Sequence, residues 1–211
     1  MIPLAIQEYI GQHSSPVHPV LDEIYRQTHL RHLYPRMLSG PLQAKMLDLI
    51  CRIHRPKTIL EVGTFTAYAT IAMALATEDD ARLITIEANE ELEDTILENL
   101  QKAEVFHKVS LKIGQALEVV PTLNSTFDLI FLDADKLNYP AYYEMLVNKL
   151  ALGGILLTDN VLWDGKVADP SITDPETNAI RSFNRQAASD QSVEQIILPI
   201  RDGLSLIRRK N

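Results

Sequence analysis

The chain has 211 residues, 46% of them apolar, and a net charge of -8, which suits one globular domain and gives no general attraction to nucleic acid or anionic membrane. A single cysteine, Cys51, excludes an internal disulfide framework and points to a reducing cytoplasm. The opening Met1-Ile2-Pro3-Leu4 lacks the basic region and apolar block of a signal peptide, and no apolar run approaches the about 18 residues that a membrane span requires.

Residues 1 to about 55 read as helices parted by proline-bearing turns. The first covers 4–11. The second, 19–32, carries Val20, Leu21, Ile24 and Tyr25 at helical spacing; the third, 41–53, carries Leu42, Met46, Leu47, Leu49, Ile50 and Ile53. From Lys57 short β-rich runs (58–62, 82–87, 109–113, 127–132 and 154–159) alternate with helical segments (67–76, 90–102, 116–120 and 139–149). This alternation predicts a mostly parallel sheet covered on both faces. A helix over 174–189 and two last strands, 193–198 and 203–209, follow. The Ile200-Arg201-Asp202-Gly203 stretch between those strands reads as a hairpin turn. The expected fold is therefore α/β and Rossmann-like, of the methyltransferase plan. It has a seven-stranded mostly parallel sheet with a C-terminal antiparallel hairpin, helices on both faces and extra N-terminal helices. One domain is expected over 1–211, with a helical cap and dimer region at 1–55 and a Rossmann-like core at 56–211.

Ile59-Leu60-Glu61-Val62-Gly63-Thr64-Phe65-Thr66-Ala67 lies where the first strand turns into its helix. Ligands of open α/β sheets bind beyond the carboxyl ends of the strands, near the reversal in strand order. Gly63 lets the backbone pass close to a ligand. Glu87, ending the second strand, suits a ribose diol because a carboxylate accepts from both hydroxyls. A full G-x-G-x-x-G is missing, which favours S-adenosylmethionine (SAM) over NAD. A plain strand end is the bland alternative.

The ends of the fourth and fifth strands are more informative. Asp133 closes one and Asp159-Asn160 the other, and in a parallel sheet both ends lie on one rim. Two carboxylates and an amide carbonyl form a hard-oxygen site suited to Mg²⁺, Mn²⁺ or Ca²⁺ rather than zinc. Against this stands the reading that Asp159-Asn160 is only a turn and that Asp133-Ala134-Asp135 caps the next helix.

The run Asp133-Ala134-Asp135-Lys136-Leu137-Asn138-Tyr139, with Tyr142-Tyr143, Gly153-Gly154, Asp159-Asn160-Val161-Leu162-Trp163-Asp164-Gly165-Lys166-Val167 and Leu198-Pro199-Ile200-Arg201-Asp202-Gly203-Leu204, resembles the caffeoyl-CoA and catechol O-methyltransferase family, in a bacterial-type form. The similarity covers nearly the whole chain. It implies a cation-dependent SAM O-methyltransferase with Asp133, Asp159 and Asn160 as metal ligands and Lys136 as general base. It implies SAM contacts at Met37, Glu61, Gly63, Tyr68, Glu87, Ala88, Gln115, Ala116 and Asp133, with Glu87 on the ribose. A homodimer is implied as well. The chain departs from the family at Ala67-Tyr68-Ala69, where Gly-Tyr-Ser is usual, and at Gln43-Ala44, where Gln-Gly is common.

The reaction this predicts moves a methyl group from SAM to one hydroxyl of a vicinal-diol phenolic, catechol-like small molecule. A free phenol ionises near pH 10; a nearby cation makes it more acidic and also destabilises the Lys136 ammonium, so that a neutral amine accepts the proton. Two other readings remain at this point: methyl transfer to hydroxylated uridine in tRNA, which the acidic balance disfavours, and a non-catalytic SAM-binding protein. Trp163 is either a substrate-pocket wall or loop packing. Tyr34 and Met37 form either a lid or a plain connection. His29 and His32 read as surface residues, Cys51 as core, and Arg208-Arg209-Lys210 as a solvated end.

Overall fold

A computed structural model describes residues 3–211, without the side chain of Leu4. Three helices come first: α1 (Leu4–His13), α2 (Pro19–Arg31) and α3 (Gly40–His54). There follow β1 (Thr58–Val62), α4 (Tyr68–Ala76), β2 (Arg82–Glu87), α5 (Glu93–Lys102), β3 (Val109–Ile113), α6 (Ala116–Thr122) and β4 (Phe127–Leu132). The chain continues through α7 (Tyr139–Val147), β5 (Leu150–Asp159), α8 (Pro175–Ser189), β6 (Val193–Leu198) and β7 (Leu204–Arg209). The strands take the order β3-β2-β1-β4-β5-β7-β6 in one seven-stranded sheet. This is the mixed sheet with a C-terminal antiparallel hairpin that the sequence pattern predicts.

The chain gathers into two compact units. One holds Thr58–Gly63 and Gln115–Asn211. Within it β1 runs parallel to β4 with Ile59 opposite Leu129 and Val62 opposite Leu132, and β4 runs parallel to β5 with Leu132 opposite Thr158. Strand β7 is antiparallel to both β5 and β6. Phe127 and Leu129–Leu132 are buried, the continuous apolar run of a strand covered on both faces. Asp128 is the polar exception; its carboxylate accepts the Thr58 N–H at 2.9 Å and the Thr58 hydroxyl at 3.1 Å. Helices α7 and α8 meet through the Tyr139 and Tyr143 rings, each edge-on to Phe183 at 5.6 Å.

The other unit holds the described residues up to Lys57 together with Thr64–Gly114. The N-terminal helices thus group with α4, β2, α5 and β3 rather than standing alone. Here β2 and β3 are parallel, with Leu83 opposite Val109 and Glu87 opposite Ile113. Helix α4 (YATIAMALA) is buried along nearly its whole length, which is why its sequence lacks a polar face.

Three segments differ from expectation. Strand β5 starts at Leu150 rather than at residue 154, because Leu150 pairs with Phe127 across a register shift. The helix expected at 90–102 opens as a 3₁₀ turn, Glu90–Leu92, with Asn89 capping it, and becomes α-helical only from Glu93. The loop after β5 contains 3₁₀ structure over Trp163–Ala168 with positive φ at Trp163, Asp164 and Gly165. Among the described residues no helix is long and apolar enough to cross a membrane.

Candidate active site

In the first unit the carboxyl ends of β1, β4 and β5 set the geometry. Gly63 follows β1 with φ 96°, and a Cβ there would stand 2.0 Å from the main-chain oxygen of Asp133. Only glycine lets the end of β1 lie this close to the end of β4. The Asp133 N–H donates to Val62 O at 2.9 Å and extends the ladder. The pairing of Leu132 with Thr158 means that Asp133 and Asp159 leave neighbouring strands in step. Both residues therefore lie at one rim of the sheet on neighbouring strands, whose backbones are about 4.8 Å apart.

Past Asp133 the chain makes a 3₁₀ turn, Lys136–Asn138. Asp135, not Asp133, caps it: its Oδ1 accepts the Asn138 N–H at 3.2 Å, and its Oδ2 accepts the Tyr142 hydroxyl at 2.6 Å. The turn brings Lys136 back over the strand end. Lys136 Nζ donates to Asp133 Oδ1 at 2.9 Å and to the Tyr139 hydroxyl at 2.7 Å. That hydroxyl donates to the main-chain oxygen of Asp159 at 2.9 Å. A continuous chain of hydrogen bonds therefore runs from the Asp133 carboxylate through Lys136 and Tyr139 to the end of β5. Burial by itself disfavours the Lys136 ammonium, but the Asp133 carboxylate and the Tyr139 hydroxyl outweigh it, and the pKa is raised. Burial also raises the Tyr139 hydroxyl.

Asp159 is 1% exposed. Its Oδ1 accepts the Asn160 N–H at 2.9 Å, and its Oδ2 faces Arg201 Nη1 at 3.3 Å. Asn160 sits at φ 60°, a left-handed backbone that asparagine tolerates better than most residues. Among the described residues no group of three or more His, Cys, Asp or Glu side chains is placed to hold a metal. Asp133, Asp159 and Asn160 instead offer two carboxylates and an amide oxygen. Each carboxylate already has a cationic side chain against it, Lys136 or Arg201. These strand ends draw positive charge, and an all-oxygen donor set fits a hard cation.

Of the expected SAM contacts, Glu61, Gly63, Gln115, Ala116 and Asp133 belong to the first unit and Met37, Tyr68, Glu87 and Ala88 to the second. In the first, Glu61 is fully buried, Ala116 is buried, and Gln115 is exposed just before α6. In the second, Glu87 does work that the sequence did not disclose. Its Oε2 accepts the N–H groups of Thr64 and Phe65 at 3.1 and 2.8 Å, and its Oε1 accepts that of Asn89 at 2.9 Å. A carboxylate has about four lone-pair sites, so with three taken about one remains for a ribose hydroxyl. Phe65 and Ala67 both take positive φ, 54° and 63°. Ala67 thus adopts the backbone for which glycine would be the relaxed choice. The Tyr68 hydroxyl is buried with no hydrogen-bond partner among the described residues, as fits a group completed by a bound molecule. Ala88 is exposed, and Met37 is 60% exposed at the end of a 3₁₀ turn.

Two residues in this region gain a role only from the structure: Tyr139 and Arg201. The i, i+3 spacing of Lys136 and Tyr139 could have hinted at the first. Nothing local signals the second, which meets Asp159 from 42 residues away. The loop carrying Trp163 is held by Arg181 of α8, whose guanidinium donates to the main-chain oxygens of Lys166, Val167, Asp169 and Ile172. Lys166 Nζ lies 5.6 Å from the Trp163 ring. His29 is exposed and Cys51 is buried, as expected.

A sheet of this order, with Asp133 and Asp159 at the ends of β4 and β5, is that of an α/β methyltransferase. The O-methyltransferase family profile matches residues 11–210, and the chain belongs to that family. Tricin synthase 2 of Oryza sativa is 36% identical over 208 residues, covering 92% of this chain and 71% of that protein. Caffeoyl-CoA O-methyltransferase of Petroselinum crispum is 31% identical, covering 97% and 90%. An SAH-bound methyltransferase from Podospora anserina superposes with a TM-score of 0.91 at 28% identity, over 100% of this chain and 99% of that one. The O-methyltransferase TomG of Streptomyces achromogenes, in complex with SAM, gives 0.89 at 29% identity, over 98% and 96%. The chain is a SAM-dependent O-methyltransferase.

Proposed function

We propose that this enzyme methylates one hydroxyl of a vicinal-diol phenolic, catechol-like small molecule, with a divalent cation held by Asp133, Asp159 and Asn160. Mg²⁺ is the first choice and Mn²⁺ or Ca²⁺ the alternatives. One observation carries the reading: Asp133 and Asp159 follow neighbouring parallel strands, and the Lys136–Tyr139 hydrogen-bond chain runs from the Asp133 carboxylate to the Asp159 main-chain oxygen. Similarity to enzymes named for caffeoyl-CoA and tricin supports a phenolic acceptor.

When bound, the cation supplies Lewis acidity that makes a phenolic hydroxyl, which ionises near pH 10 when free, acidic enough to react near neutrality. The chain's own residues do the rest. Asp133 and Tyr139 hold Lys136 as an ammonium, contrary to the neutral amine expected from the sequence; Nζ takes the acceptor proton only after a cation on Asp133 has weakened that pairing and the ammonium has released a proton to solvent. Tyr139 holds Lys136 against β5 through its hydrogen bond to Asp159 O. Glu87 takes one ribose hydroxyl of SAM while its other lone pairs hold the Thr64, Phe65 and Asn89 N–H groups. The family resemblance adds Glu61, Gly63, Gln115 and Ala116 of the first unit, and Met37, Tyr68 and Ala88 of the second, as further cofactor contacts. Holding the nucleophilic oxygen in line with the methyl group is the largest expected contribution to rate.

We also assign the enzyme to a reducing cytoplasm and to a homodimer. Leu30, Leu33, Tyr34, Leu49 and Ile53 of the N-terminal region are exposed, and we read them as the face that a second copy covers; a monomer by light scattering contradicts the dimer. The acceptor class is tested with radiolabelled SAM against vicinal diphenols, monophenols and tRNA from a strain lacking the gene, in which hydroxylated uridine stays unmethylated, in parallel. Label entering diphenols supports the reading. Label entering tRNA alone replaces it with the nucleic-acid reading.

A further inference from the structure

Asp159 is fixed at the end of β5, and its side chain is 2% accessible, yet it meets a guanidinium that is 29% accessible. A carboxylate so deeply buried must have its charge answered within the protein. Arg201 gives that answer from an unusual position. It lies in the β6–β7 turn at φ 52°, a left-handed backbone that side chains other than glycine, asparagine and aspartate seldom adopt.

The turn is laid onto the segment that follows Asp159 and Asn160. Val161 N–H donates to Gly203 O at 3.1 Å, Leu162 N–H donates to Asp202 O at 2.9 Å, and Asp164 N–H donates to the Asp202 carboxylate. Gly203 makes this possible, for a Cβ there would stand 2.4 Å from Leu162 Cγ. These contacts over-determine the turn, so the unfavourable conformation of Arg201 is retained and its side chain is aimed at Asp159.

We propose that Arg201 is the resident counter-cation of Asp159, which an incoming divalent cation must displace, and that it thereby sets how weakly the enzyme holds that cation. The inference rests on the assignment of Asp159 as a cation ligand under Proposed function. The two positive groups compete for one carboxylate edge, Asp159 Oδ2. The exchange is feasible because Arg201 reaches toward solvent on a flexible stem, whereas Asp159 cannot move from its strand. Arg201 is therefore a positioning residue that keeps the buried carboxylate paired until the cation arrives.

The test is Mn²⁺ binding to the full chain, read from the loss of the free-ion electron paramagnetic resonance signal, for the wild type, Arg201→Gln, Arg201→Lys and Asp159→Asn. Removing a unit charge this close to the binding edge should tighten Mn²⁺ binding roughly tenfold or more in Arg201→Gln. Arg201→Lys should stay near the wild type, and Asp159→Asn should lose most binding. In EDTA, Arg201→Gln should melt below the wild type, and Mn²⁺ should raise its melting temperature by more than it raises the wild type's. A merely structural Arg201 would lower the melting temperature without tightening Mn²⁺. Unchanged or weaker Mn²⁺ binding by folded Arg201→Gln, with the wild type binding, overturns this inference alone. No Mn²⁺ binding by either overturns the cation assignment, and the inference with it.

Discussion

Replacing Gly63 by alanine attacks the close approach of β1 and β4 on which the site depends. At φ 96° an alanine pays for a left-handed backbone, about 1–2 kcal/mol. Its Cβ would also lie 2.0 Å from Asp133 O, 2.7 Å from Asp133 C and 3.3 Å from Ala134 N. Non-bonded heavy atoms rest at about 3.5–4.0 Å, so the backbone at Asp133 must retreat by more than about 1 Å. No flexible side-chain tip is available to yield, and Asp133 N–H is tied to Val62 O at 2.9 Å. Overpacking of this kind costs a further 1–3 kcal/mol or so, for a total of roughly 2–5 kcal/mol. Gly165→Ala separates the two contributions, because φ there is 79° and nothing lies within 4 Å of the added carbon; it should cost only the backbone part. Urea unfolding followed by circular dichroism measures both, as a lowered midpoint at unchanged slope. A loss at Gly63→Ala no larger than at Gly165→Ala would refute the steric argument.

Two further outcomes follow from the same geometry. Lys136→Ala should slow methyl transfer by about 10²-fold or more while SAM affinity stays within about threefold, as measured by turnover and calorimetry; an unchanged rate removes the proton-acceptor role. Burial, reinforced by the Asp48 charge, pushes the Cys51 thiol up to about 12. The native thiol should therefore resist an aromatic disulfide reagent at pH 8 and react at once in denaturant. A thiol whose pKa rises on folding favours the native state while both states are protonated. Its contribution is present below the unfolded value of 9.0 and declines as pH climbs from there toward 12. Cys51→Ala should flatten that decline in urea titrations, and an equally steep decline would speak against the thiol as its source.

The strands were the most legible part of this chain. Runs such as Thr58–Val62 and Phe127–Leu132 are short, largely apolar and β-rich because these strands are mostly buried, and they end at Gly63 and Asp133. The carboxylates at those ends were readable for the same reason, since a strand's end fixes where its next side chain goes. Start points were less visible: β5 begins before its glycines because of pairing with Phe127, a tertiary fact. The polar wiring was the least accessible. Glu87 serves the backbone of Thr64 and Phe65, and Arg201 reaches Asp159 only because a hairpin turn docks on a loop. Neither contact leaves a periodicity or a local spacing in the sequence. The departure at Ala67 was legible as a substitution, but its backbone conformation was not.

The central claim, cation-assisted methyl transfer to a vicinal diphenol, is tested most directly by mass spectrometry of catechol and phenol incubated with SAM and the purified enzyme, with Mg²⁺ and with excess EDTA. The account predicts a monomethyl ether from catechol in Mg²⁺, none in EDTA, recovery when Mg²⁺ is restored, and little product from phenol under any condition. Equal methylation of phenol and catechol, unaffected by EDTA, would contradict it.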